Sequence, residues 1–193
     1  MYKRQENDPT ILSLYNDGDH LSIIDRLFSF SDTDDPLPLP DMLSILSDNT
    51  APALVTILTH TLIRRVNDVD QALMNEYTMA NDHLKRAIIQ TIGYSNRSVC
   101  MEFLLTDYFR SPHMRPVIRE LGFQNKHQLL LSLIRYVESM PFTRTTVEVT
   151  QQILRTIPPS LITRMGTWVS GTTLMDIYYA TPPRVTRDPD AID

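Results

Sequence analysis

Along most of the chain apolar residues return every three to four positions, the spacing of helices that bury one side. Over residues 98–109, Cys100, Phe103, Leu104 and Tyr108 fall on one face. Over 126–139, Leu130, Leu133, Ile134 and Val137 do the same, with Gln128, Ser132 and Arg135 opposite. The segment 113–123 carries Pro116 in its first turn, where a missing amide hydrogen costs little. Gly93 and Gly122 each close a helix, where a left-handed residue commonly ends the run. Further helices are predicted over 20–30, 41–47, 51–66 and 70–79. Thr145-Thr146-Val147-Glu148 has the form of a capping box that opens another, ending at Ile157 before Pro158-Pro159. Three prolines and three aspartates within 31–40 predict an exposed loop, and the proline-rich stretch 180–193 reads as a flexible tail.

The pattern also repeats. A shift of 29 lays residues 86–97 over 115–126, with Arg86 on Arg115, Ile89 on Ile118, Gly93 on Gly122 and Asn96 on Asn125. Phe103-Leu104-Leu105 continues the match against Ser132-Leu133-Ile134, and 153–157 echoes 88–92 more faintly. Each unit reads as two helices, and 20–30 with 41–47 form a first, degenerate pair.

Leu84-Lys85-Arg86-Ala87-Ile88-Ile89-Gln90-Thr91-Ile92-Gly93 resembles the HEAT repeat. So does the stretch from Leu105-Thr106-Asp107 through Pro112 to Val117-Ile118-Arg119-Glu120-Leu121-Gly122. The form is the short one, of roughly thirty residues, found in phycobilin lyase-type proteins. That pattern has a turn with Asp, an aliphatic-Arg pair, two small residues and a closing Leu-Gly. Pro116 departs from it at a small-residue position, and Met114 stands where the other unit has Lys85. The resemblance implies an all-α, right-handed superhelical solenoid of about four to five helix pairs over 6–179, with second helices lining an inner surface.

Composition narrows the chemistry. Only 5 Gly in 193 residues argue against a turn-rich sandwich or barrel and against a glycine-rich phosphate loop. The single cysteine, Cys100, rules out an internal disulfide and a multi-cysteine zinc site, and is expected as a small buried hydrophobe. No metalloprotease, nucleophile-elbow or nucleotide-binding motif occurs, so no catalytic residue and no cofactor is expected. His20, His60, His83, His113 and His127 are dispersed, with His83 and His113 at helix entries that suit surface roles; Asp34 and Asp35 read as a solvated loop. Trp168, close in sequence to Tyr178 and Tyr179, is expected to cap the last unit. The uncharged stretch 49–63 is shorter than the ~20 residues of a spanning helix, so no membrane span is expected, and a cytoplasmic location is the expectation. Met1-Tyr2-Lys3-Arg4-Gln5 resembles a transposase sequencing adaptor translated in frame from a GTG codon. That implies a metagenomic fragment whose reading frame starts upstream, residues 1–5 being an artefact.

Charge is unevenly spread. Residues 1–82 carry five Lys/Arg against fourteen Asp/Glu, residues 83–136 eight against three, and the remainder five against six. Lys85, Arg86, Gln90, Arg115 and Arg119 fall on the second helices of two successive units. They could form a basic groove for an acidic partner, or a ladder bonded to turn carboxylates such as Asp82 and Asp107 in neighbouring units. The expected function is a non-enzymatic protein-interaction scaffold whose partner is another, acidic protein. A bilin lyase or chaperone is an alternative that the resemblance implies. A nucleic-acid binder is another, permitted by the basic centre and disfavoured by a net charge of -5.

Overall fold

The computed structural model describes residues 8–48, 51–141, 143–166 and 173–179, and every regular element among them is helical. The chain divides into two compact units, Met1–Leu129 and Leu130–Asp193. The first holds α1 (Ile11–Asn16), α2 (His20–Ser31), α3 (Leu39–Ser47), α4 (Pro52–Arg64), α5 (Val66–Glu76), α6 (Asp82–Gly93) and α7 (Ser98–Arg110). After these come a 3-10 turn (Pro112–Met114), α8 (Arg115–Val117) and a π turn (Ile118–Gly122). Helix α9 (Lys126–Glu138) runs across the division, and α10 (Arg144–Leu154), α11 (Pro159–Gly166) and α12 (Thr173–Tyr179) belong to the second unit.

Local chemistry sets the helix ends. Thr10 Oγ1 accepts from the Ser13 amide at the start of α1, and Asn81 Oδ1 from the Leu84 amide at the start of α6. Asp19 accepts from both the amide and the hydroxyl of Ser22 at the start of α2, which holds its carboxyl below the usual range. Gly18, at φ +75, makes the turn between α1 and α2, the left-handed region glycine enters without steric cost.

Within the first unit α2 packs on α1 and α4, α4 on α6, and α6 on the π turn. Helix α1 also meets α3, and α5 meets α7. Helix α6 is central, touching α3, α4, α5, α7 and the π turn. Its Leu84, Ala87, Ile88, Ile89, Thr91, Ile92 and Gly93 are therefore all buried. Ile23, Leu27, Met42, Ile45, Leu58, Leu62, Leu73, Leu104 and Tyr108 complete the core, each large aliphatic side chain contributing about 1.5–3 kcal/mol. In the second unit α10 packs on α12 around buried Val149, Ile153, Ile157, Ile162, Leu174 and Ile177.

Several expectations are corrected. Helix α1 was not anticipated, and α2 packs on α1 and α4 rather than forming a pair with α3. Helix α5 starts at Val66, four residues before Asp70, because Asp70 is buried inside the helix and paired there. The capping residue of α10 is Thr143, which accepts from the Thr146 amide, so the box at Thr145 and Glu148 does not form. The segment 113–123 is helical from Pro112 to Gly122, as expected, but its winding changes along the way, from a 3-10 turn through α8, where Pro116 sits, into the π turn. Gly93 and Gly122 do not have positive φ. At Gly93, glycine is required for another reason. A Cβ on Gly93 would lie 2.8 Å from the backbone carbonyl carbon and from Cα of Gly122. The readings of residues 1–5, Trp168 and the tail 180–193 lie outside the described residues.

Candidate interaction surface

Neighbouring segments of the first unit are tied by side chains that reach 27 to 35 residues along the chain. Tyr77 at the end of α5 donates to Asp107 Oδ2 on α7 at 2.6 Å, and Asp107 Oδ1 accepts from the Ser111 hydroxyl. The Tyr77 ring meets Phe103 edge-on, and Lys85 Nζ lies 5.5 Å from its centroid. Burial first, and then the Asp107 hydrogen bond and charge, hold the Tyr77 hydroxyl far above its ordinary value.

Asp70 on α5 is the second tie. Its side chain is 2% exposed; Oδ1 accepts from Arg97 Nη1 at 2.9 Å, and Oδ2 from the Cys100 thiol at 3.4 Å. Burial pushes the Cys100 thiol up to about 11, with the Asp70 carboxylate adding and Ser95 and Arg97 opposing. Cys100 is buried and reduced, as expected, and is also a hydrogen-bond donor.

Asparagines make a third kind of link. Asn81 donates to Ser47 O at 2.7 Å while capping α6. Asn125 donates to Ser95 O and to Asn96 Oδ1, and caps α9 by accepting from the Gln128 amide. Gly93 with Gly122 and Asn96 with Asn125 are thus self-similar pairs, 29 apart, whose members touch. Arg65, between α4 and α5, donates to the carbonyls of Phe30, Thr33 and Asp35, so the aspartate-rich loop is held by its backbone. Sequence patterns did not reveal these ties because their partners lie far apart along the chain. The one available signal was their recurrence at about the repeat length.

The five residues singled out from the sequence separate into two groups. Arg115 donates from Nε to Tyr108 O at 2.9 Å and from Nη2 to Phe109 O at 3.3 Å. It thereby satisfies carbonyls at the end of α7, with its guanidinium carbon 5.8 Å from the Tyr108 ring centroid. Lys85 is half-buried over Tyr77, and Gln90 is half-buried on α6. Arg86 and Arg119 are exposed, and neither has an ion pair or hydrogen bond among the described residues. The ion pairs there are Arg65–Asp68, Arg97–Asp70 and Arg144–Glu148, so the basic residues of α6 and α8 form no ladder with Asp82 and Asp107.

At the other end of the unit α2 leaves Leu21 and Phe28 exposed, at 77% and 59%. Seven residues apart, they lie on one stripe opposite buried Ile23 and Leu27. The second unit has a cavity of about 370 Å³ walled by Leu154, Ile157, Ile162 and Tyr178, with Arg155 and Gln151 on its lining. No group of His, Cys, Asp or Glu among the described residues could hold a metal ion, and none of their helices is long and apolar enough to cross a membrane. Compared with protein-family models, curated proteins and solved structures, the chain matches none of them.

Proposed function

We propose that this chain is a non-enzymatic interaction scaffold, a right-handed solenoid of HEAT-like helix pairs that binds an acidic protein partner along its second helices. The repeat reading is supported by the direct contacts of Gly93 with Gly122 and of Asn96 with Asn125, and by ties that recur at about thirty residues. The binding reading is carried by one observation: Arg86 and Arg119 are exposed and have no ion pair or hydrogen bond among the described residues, in a chain of net charge -5. Arginines kept for the fold look different here, since Arg115 and Arg97 are both engaged. Lys85 and Gln90 flank Arg86 on α6 and would add a partly desolvated charge and an amide to the same contact.

Retention on immobilised polyaspartate, read as a function of salt, tests this. The variant with Arg86→Glu and Arg119→Glu is expected to elute far earlier than wild type with an unchanged melting temperature. Arg115→Glu is expected to melt lower. Equal elution of wild type and the double variant would refute a role for these arginines.

A further inference from the structure

We propose that the cavity of the second unit binds a small carboxylate with an apolar tail, of the kind a medium-chain fatty acid presents. The proposal concerns different residues from Arg86 and Arg119 and stands apart from the scaffold reading. At about 370 Å³ the cavity has the size of a small-molecule pocket, about 300–1,000 Å³. Its walls come from three helices and one connection. Gln151 and Leu154 belong to α10, and Arg155 is its C-cap in helical conformation, so these three, spaced by three and four, share one face. Ile157 follows in the connection, Ile162 comes from α11 and Tyr178 from α12. Gln151 Nε2 donates to Ile177 O at 3.3 Å, which fastens α12 to α10 one residue before Tyr178.

The lining carries two chemistries. Leu154, Ile157 and Ile162 are buried aliphatic side chains, against which water gains no hydrogen bond. Arg155 is exposed and has neither an ion pair nor a hydrogen bond among the described residues, and the Tyr178 hydroxyl has no hydrogen bond there either. No Asp or Glu among the described residues lines the cavity. The carbonyls that close α10 are engaged, since Gln151 O, Ile153 O and Leu154 O accept from the amides of Arg155, Thr156 and Ile157. A guanidinium offers parallel donors that match a carboxylate in bidentate geometry. A neutral apolar ligand would cover the Arg155 charge without answering it, and an ammonium would be repelled by it. A bare phosphate would leave the aliphatic walls wet. A carboxylate joined to one hydrocarbon tail satisfies both chemistries.

The test is a nuclear magnetic resonance titration of the full chain, its isoleucine methyl groups labelled, with octanoate, 1-octanol and octylammonium, which share one tail and differ in head group. Octanoate is expected to shift the Ile157 and Ile162 methyls saturably and to bind at least about tenfold more tightly than 1-octanol, the worth of one hydrogen bond to a charged group. Octylammonium is expected to bind weakest. Arg155→Gln should bring octanoate down to the level of 1-octanol and leave the melting temperature unchanged, since an exposed side chain without partners carries little of the fold. Saturable shifts confined to other methyl groups, or none at all, would overturn the site. Equal binding of octanoate and 1-octanol by the wild type would overturn recognition of the carboxylate, an outcome that needs no variant to fold. Octanoate binding untouched by Arg155→Gln would overturn the assignment of Arg155. Retention on polyaspartate turns on Arg86 and Arg119 and is expected to be indifferent to octanoate, so failure of either reading leaves the other standing.

Discussion

Gly93 and Gly122 meet backbone to backbone where α6 packs on the π turn. Adding a methyl group on the Gly93 side drives it into the Gly122 main chain, which cannot move aside as a side chain can. On the Gly122 side the nearest atoms are Ile89 Cγ2 at 3.0 Å and Leu104 Cδ1 at 3.1 Å, which can shift by rotamer adjustment. Gly93→Ala is expected to cost about 2–3 kcal/mol or more, and Gly122→Ala about 1 kcal/mol. Urea denaturation of the two variants checks the order, and equal losses would refute the backbone contact as the cause.

The bond from Tyr77 to Asp107 joins a buried phenol to a carboxylate, the stronger class of hydrogen bond. Tyr77→Phe keeps the ring against Phe103 and removes only the donor. A loss of about 1.5–3 kcal/mol is expected. Asp107→Asn, which can still accept, should lose less, and a double-mutant cycle in urea would measure the coupling.

Cys100 makes stability depend on alkaline pH. Its folded thiol holds its proton to about 11, against an ordinary value of 9.0, so the unfolded chain releases that proton first as pH rises. The contribution is complete below pH 9 and is lost as pH climbs through about 11. Melting temperature should therefore fall over this window, and Cys100→Ala should make the fall shallower. The buried thiol should also react slowly with a disulfide reagent at pH 8 until denaturant is added.

Thr59 on α4 is 3% exposed, and its Oγ1 is buried without a hydrogen-bond partner among the described residues. A buried hydroxyl left unpaired is costly, while an apolar group of the same shape fills the site without that cost. Thr59→Val is expected to raise the melting temperature by about 2–4 °C, readable by calorimetry.

Much of the helical framework was legible because burial on one side imposes its own periodicity. The helix expected over 98–109 is Ser98–Arg110, and that over 126–139 is Lys126–Glu138. Where reading failed, the deciding partner lay elsewhere in the chain. Asp70 looks like a helix start by local preference, and only Arg97, 27 residues on, explains a carboxylate inside α5. Helix α1 has six residues and too little periodicity to register. The glycines were read by backbone angle when they answer to a close approach. Arg115 was grouped with Arg86 and Arg119 by charge, but it donates to the last carbonyls of α7, Tyr108 O and Phe109 O. Leu21 and Phe28 went unnoticed because an apolar stripe shows in sequence without showing whether anything covers it.

The placement of α6 among α3, α4, α5, α7 and the π turn gives the first unit an uneven resistance to opening. Helices at the margin, such as α1, can detach after losing few partners, whereas the amide protons of α6 exchange only when its five neighbours have let go. Hydrogen exchange should accordingly be slowest around Ile88 to Ile92 and should quicken toward α1, and a folding nucleus built on α6 would recruit the flanking segments outward in both directions.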